Sequence, residues 1–145
     1  HLKIVLQDSL NKRINFLDEV IEQLNLKDIN TMHGRAEDYS RKKEYREQFD
    51  LCVSRAVANL STLSEYCIPF VKKGGNFISY KSGNAQDEID KSVKAVDILG
   101  GKIESVDNFL LPGTDMGRSL VKILKVNSTP KKFPRKAGVP SKEPL

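Results

Sequence analysis

The stretch FDLCVSRAVANLSTLSEYCIPFVKKGGNFISYK, Phe49 to Lys81, decides the fold. It opens on Phe49–Ser54, a run that is apolar apart from Asp50 and reads as a strand. From Ala58 to Val71 the apolar residues Leu60, Leu63, Cys67 and Phe70 recur at helical spacing, and Pro69 is placed to end or kink that helix. Lys72-Lys73-Gly74-Gly75 reads as the helix stop, with cations in the last turn and glycine beyond it. Asn76–Lys81 is a second apolar run of strand length. A strand, a helix and a strand in that order form a β-α-β unit, whose crossover is right-handed and whose strands are parallel.

Working outward, the same alternation recurs on both sides. Residues 2–7 read as a strand, and Asp8-Ser9 cap a helix carrying Leu10, Ile14, Leu17, Ile21 and Leu24 at helical spacing. Ile29–His33 is another strand. Gly34–Tyr39 is a loop or short helical turn, and the charge-mixed Ser40–Gln48 is solvent-exposed. After Lys81, Asn84 caps a helix with Asp87 and Glu88 in its first turn and Ile89, Val93, Val96 and Leu99 on one face; Gly100-Gly101 closes it. Lys102–Leu111 and Arg118–Val126 are extended segments joined by a turn at 112–117, which predicts an antiparallel hairpin. The fold class is therefore α/β: a mostly parallel, doubly wound sheet finished by an antiparallel edge.

The chain has 145 residues, enough for one domain, with 39% hydrophobic and 30% charged residues. No run approaches the roughly 20 apolar residues of a membrane-spanning helix, and there is no signal peptide. Cys52 and Cys67 both sit in apolar runs and read as core residues of a protein from a reducing compartment. All of the net charge of +5 lies in residues 125–145; the rest balances. With residues 1–124 neutral and the end basic and Pro-interrupted, the sequence points to a polyanion such as nucleic acid, or to a merely solvated end; the domain reads as 1–126 and the tail as 127–145. The chain starts at His1 and enters an apolar run at once, so it reads as opening inside a domain.

Ligands of doubly wound sheets bind beyond the carboxyl ends of the strands. Asp8 stands after the first strand, where a carboxylate takes hydrogen bonds from ribose hydroxyls; helix capping is the competing reading. After the second come Ala36 and Glu37, placed to face an adenine or to form a surface loop. After the third comes Arg55, a cation ending an apolar strand, which needs an anionic partner from either a ligand or the protein. Phe133, among Lys131, Lys132, Arg135 and Lys136, makes an arm suited to pairing phosphates and stacking a base. There is no G-x-G-x-x-G or Walker loop. Histidine occurs only at 1 and 33, which argues against a zinc site or a Cys/His nucleophile pair. Ser54, Ser61 and Ser79 lack a G-x-S-x-G context.

Asp8–Arg13, His33–Glu37, Ser54–Ala58, Lys72–Gly75 and the tail from Thr129 to Pro144, with its Pro-Arg-Lys-x-Gly-x-Pro run, together resemble the C-terminal two-thirds of a bacterial family. It is the RsmG, or glucose-inhibited-division-B, family of 16S ribosomal RNA guanine-N7 methyltransferases. The resemblance implies a Rossmann-like class I methyltransferase sheet that uses S-adenosyl-L-methionine, with Asp8 at the ribose, Ala36 and Glu37 at the adenine, and Arg55 in the cofactor and active-site pocket. It implies RNA contacts from Lys81 and from the tail, Lys131, Lys132, Phe133, Arg135 and Lys136. It further implies a cytoplasmic monomer that acts on 16S ribosomal RNA or the small ribosomal subunit, with no metal and no membrane. The family's first strand and Gly-rich loop would precede His1, so the sheet is expected to have a gap at its centre and the chain alone to be inactive. The competing functions are a non-catalytic RNA-binding module and a methyltransferase of non-RNA substrates.

Overall fold

The structure is a computed structural model and describes residues 2–55 and 58–145. His1, and Ala56 and Val57 of the Ser54–Ala58 stretch, lie outside the described residues. The order is β1 (Ile4–Asp8), α1 (Asn11–Gln23), β2 (Ile29–His33), α2 (Ala36–Tyr39), β3 (Phe49–Arg55), α3 (Leu60–Cys67), β4 (Val71–Ser82), α4 (Gln86–Ile98), β5 (Gly101–Leu110), β6 (Gly117–Lys125) and α5 (Val139–Lys142). The expected α/β alternation is present throughout.

The strands form two sheets. β1 pairs only with β2, in parallel, and the other four run in the order β3-β4-β6-β5. β3 and β4 are parallel, while β6 is antiparallel to both of its neighbours. β5 therefore runs the same way as β3 and β4, and β6 alone is reversed in its sheet. The expected interruption appears as this division into two sheets, with no ladder joining them among the described residues.

The expected antiparallel hairpin is present at the edge of a mostly parallel sheet; its order, which periodicity leaves open, puts β6 between β4 and β5 and β5 at the edge. One sequence expectation needs correction: Lys72–Gly75 is not a helix stop. Pro69 converts the end of α3 into a 3-10 turn, Ile68–Phe70, and β4 begins at Val71. The Lys-Lys-Gly-Gly run then forms an irregularity in the ladder, since Phe49 pairs with Val71 but Leu51 with Asn76. A β-carbon at Gly75 would stand 2.5 Å from the Asp50 carbonyl oxygen, so only glycine fits there.

The core lies on the four-stranded sheet. Leu60, Leu63 and Cys67 of α3, Ile89 and Val96 of α4, Phe77 of β4 and Val121 and Ile123 of β6 form one cluster, which Phe133 of the tail joins. Their side chains come from helical spacing on α3 and α4 and from alternate positions on β4 and β6, so one apolar face of each element meets the others.

Candidate functional site along the strand ends

The residues singled out at the ends of the first three strands do lie at carboxyl ends of parallel strands. Asp8 is the last residue of β1 and pairs with His33, the last of β2. Its Oδ1 accepts the Leu10 N–H at 2.8 Å, and its Oδ2 accepts from Arg13 Nη1 at 3.1 Å. Partial burial works to raise its pKa, but the Leu10 N–H and the Arg13 guanidinium outweigh it and hold the carboxyl below its ordinary value. Asp8 thus closes the turn that leads into α1 and presents an ionised carboxylate at the strand end, but it does not cap the helix as the sequence suggested: the N-cap is Leu10, with no side-chain cap.

Gly34 turns the chain away from β2. Its N–H donates to the Asp8 carbonyl at 3.0 Å, which ties the two strand ends together. Its φ is +149°, and a β-carbon there would meet the Tyr39 ring at 2.4 Å, so this turn requires glycine. The Tyr39 hydroxyl donates to the His33 carbonyl at 2.9 Å and closes the loop. Ala36 and Glu37 open the single turn α2, whose first backbone N–H groups have no acceptor one turn back. The Glu37 side chain is buried and points elsewhere: its Oε1 accepts the Gly138 N–H of the tail at 2.9 Å. Its carboxylate therefore holds the tail against α2 and does not face a ligand at the strand ends.

Arg55 ends β3 beside Tyr80 of β4. It is exposed, and among the described residues it takes part in no ion pair. Of the two partners considered for this cation, no internal carboxylate takes the role.

Lys81 is placed differently from the expectation. Only 8% exposed, it donates from Nζ to Glu88 Oε1 at 2.7 Å and to the Ala58 carbonyl at 2.8 Å. Glu88 Oε1 also accepts the Leu60 N–H at 2.5 Å. The pair fastens the segment entering α3 and leaves Lys81 no free donor face for RNA.

The tail is not a free arm. Phe133 is 5% exposed, which leaves no ring face for a base to stack on. Arg135 reaches Glu65, a fully buried carboxylate on α3, through Nη2 at 2.7 Å and Nε at 3.0 Å, while its backbone N–H donates to Glu65 Oε1 at 2.7 Å. Lys125, 2% exposed, contacts Glu47 Oε1 at 3.2 Å and donates to the Ile68 carbonyl at 3.0 Å, and Glu47 in turn accepts the Thr129 N–H at 2.7 Å. Burial alone would raise the Glu47 pKa; the Thr129 N–H and the Lys125 charge bring it below its ordinary value. Burial lowers the pKa of Lys125. Lys131, Lys132 and Lys136 remain exposed. Residue composition alone did not distinguish these three from Arg135, because the distinction rests on Glu65, 70 positions away.

Cys52 and Cys67 are free thiols in the packed region, and hydrogen bonding of the Cys67 thiol to Cys52 together with burial pushes the Cys67 thiol up. Among the described residues no His/Cys/Asp/Glu cluster could hold a metal ion, and no helix is long and apolar enough to cross a membrane.

The family model described as rRNA small subunit methyltransferase G (GidB) matches residues 1–116. A protein of that name from Lachnoclostridium phytofermentans is 56% identical over 144 residues, which cover 99% of this chain and 60% of the relative. Its namesake from Clostridium tetani is 52% identical over 143 residues, with the same shares covered. The chain thus spans about 60% of the length of these curated relatives. Among solved structures, an rRNA methylase from Streptococcus thermophilus aligns with a TM-score of 0.61 at 14% identity, over 86% of this chain and 74% of the other. The M. jannaschii TYW2 protein in complex with AdoMet aligns with a TM-score of 0.61 at 14% identity, over 86% and 59%. At that identity the likeness establishes a Rossmann-like methyltransferase fold.

Proposed function

The chain belongs to the rRNA small subunit methyltransferase G family, and on that premise we propose that it transfers a methyl group from S-adenosyl-L-methionine to N7 of a guanine in 16S ribosomal RNA, in the cytoplasm. The observation that carries the reading is that Asp8, the Gly34–Glu37 turn and Arg55 each stand at the carboxyl end of a parallel strand, with Arg55 lacking an ion-pair partner among the described residues.

The residues present fit the cofactor. Asp8 is ionised and oriented by Leu10 and Arg13, with lone pairs left on both oxygens for the two ribose hydroxyls. Ala36 offers a small side chain and, with Glu37, unsatisfied backbone N–H groups toward the adenine edge. Glu37 serves this site through its backbone, while its carboxylate positions the loop by holding Gly138. Arg55 supplies the cation that a methionine carboxylate needs. When bound, the cofactor supplies an electrophilic methyl group on a sulfonium.

Guanine N7 carries an in-plane lone pair, so no proton is removed before the new N7–methyl bond forms and the old S–methyl bond breaks with its electron pair going to sulfur. This chemistry asks for alignment and not for a general base, and alignment alone supplies several kcal/mol. We assign no catalytic base, which agrees with the absence of a His or Cys constellation at the strand ends. On the RNA side we assign Lys131, Lys132 and Lys136 as phosphate contacts; Lys81, Phe133 and Arg135 hold the scaffold on which they stand. The target base has to leave its stack or lie in a loop to reach the strand ends.

The test uses protein from the complete reading frame, incubated with labelled S-adenosyl-L-methionine and unmodified 16S rRNA or small subunits and followed by digestion. Label is expected in N7-methylguanosine at one position, and Arg55→Ala is expected to abolish it while RNA binding persists. Cofactor binding with label in no RNA would overturn the assigned acceptor. No cofactor binding at all would leave an RNA-binding module.

A further inference from the structure

The segment Ser40–Gln48 reads in the sequence as an ordinary solvated stretch, but the fold gives it a neighbour. Arg46 donates from Nη1 to the Phe133 carbonyl at 2.8 Å and from Nη2 to the Thr129 carbonyl at 2.7 Å, and Arg41 donates to the Pro134 carbonyl at 2.5 Å. Residues more than eighty positions apart are thereby fixed side by side. The acceptors are carbonyls and not carboxylates, so both guanidinium charges stay uncompensated. The nearby acids are already engaged: Glu47 with Lys125, and Glu65 with Arg135. Glu44 and Asp38 remain as exposed negative charges beside Arg41, Lys42, Lys43, Arg46, Lys131, Lys132 and Lys136. Two of the lysines are steadied by aromatic faces: Lys42 Nζ stands 4.2 Å from the Tyr39 ring centroid, and Lys132 Nζ 5.2 Å from that of Phe133.

We propose that the 41–43 turn and the tail lysines form one composite surface that binds the phosphate backbone of RNA, with Lys42 and Lys43 as direct contacts. The choice of RNA as the polyanion rests on the function proposed above. The surface is built for phosphates and not for bases. Phe133 is buried, and Tyr39 and Tyr45 are packed edge to face with centroids 5.4 Å apart, so a sequence-independent electrostatic contact is what the exposed groups provide. The arrangement also explains why the tail is clamped so heavily. Rigid placement of Lys131, Lys132 and Lys136 next to the turn lets cations from two segments act on one strand of RNA.

The test uses the full chain and fluorescent single-stranded poly(U), followed across a salt series. The double variant Lys42→Ala/Lys43→Ala should weaken binding and reduce the slope of log affinity against log salt by about 1.4, or about 0.7 for each lost single-strand contact. Lys91→Ala/Lys94→Ala, which removes the same charge from exposed positions of α4, should leave the slope unchanged. Lys43→Glu alone should weaken binding further than Lys43→Ala, with the thermal midpoint and cofactor affinity held. An unchanged slope in the first variant, or an equal fall in the α4 control, would overturn the proposal. So would binding of anionic lipid vesicles or an acidic peptide in preference to RNA. Protein from the complete reading frame that labels no RNA while the slope still responds to Lys42 and Lys43 would defeat the methyl-transfer reading and leave this surface standing.

Discussion

Of the apolar face read on α1, Ile14 is buried, while Leu10 at the N-cap and Leu24 at the C-cap stand 52% and 64% exposed. On the four-stranded sheet, Leu63, Phe77, Val121 and Ile123 are all almost wholly buried. The local patterns are equally good in the two regions, so pattern alone does not explain the difference. What differs is the second layer. β4 and β6 have strands on both sides, helices α3 and α4 against them, and a tail packed over the end of the core. Among the described residues, β1 and β2 pack chiefly against each other and α1. Two strands offer too little surface to cover a whole helix face, and a two-stranded unit is marginal by itself. The proposed cofactor residue Asp8 sits on this thinner region, whereas Ala36 and Glu37 open α2, which α3 and the tail hold, and the proposed RNA-facing tail cations sit on the thick one.

The largest effect is expected from the clamp that makes the second region thick. Arg135→Ala leaves the Glu65 carboxylate buried with no counter-charge, and roughly 3–5 kcal/mol should be lost in denaturant unfolding. A loss below 1 kcal/mol would mean that the tail is not part of the packed unit. Next, Leu63→Ala should cost about 2–5 kcal/mol by removing a buried side chain. Phe16→Ala on α1 should stay within about 0.5 kcal/mol. Equal losses would erase the contrast between the regions. Hydrogen exchange sharpens the same point, since amides of β1 and β2 should exchange well before those of β4 and β6.

A smaller effect, about 1–3 kcal/mol, is expected for Lys81→Met. It leaves the Ala58 carbonyl without its Lys81 donor and the Glu88 carboxylate with only the Leu60 N–H, and should speed exchange of the Leu60 amide. The smallest and most diffuse effect is on pH dependence. Asp8 and Glu47 are held below their ordinary values of 3.8 and 4.5 in the folded chain. The stability they contribute is therefore present above about pH 4.5 and drains away as the pH falls through their lowered folded values. The thermal midpoint should drop over that acid window, and Glu47→Gln should shrink the drop. An unchanged acid profile in the variant would show that Glu47 is not the titrating clamp.

Asp8 at the end of β1, the glycine turn before Ala36, and Arg55 closing β3 were legible because each depends on a few neighbouring residues. Strand periodicity, a cap and a turn glycine are local properties. The reading of Lys72–Gly75 failed for a local reason as well: cations followed by glycines suit a helix end and a strand irregularity equally, and only the pairing of Phe49 with Val71 separates them. Phe133 misled because an aromatic among cations has the same composition whether it faces RNA or packs into a core.

The alternation of strands and helices, the parallel crossovers and the placing of Asp8, Ala36, Glu37 and Arg55 at strand ends were determined by the sequence by itself. The insertion of β6 between β4 and β5, the separation of β1 and β2 from the larger sheet, and the clamping of the tail were decided only in the tertiary structure. Backbone donors and acceptors are chemically alike in every strand, so a strand's residues do not name its neighbour. A charge likewise carries no mark of its partner: Arg135 and Lys136 are adjacent cations, and only the fold brings a buried Glu65 to one and leaves the other facing water.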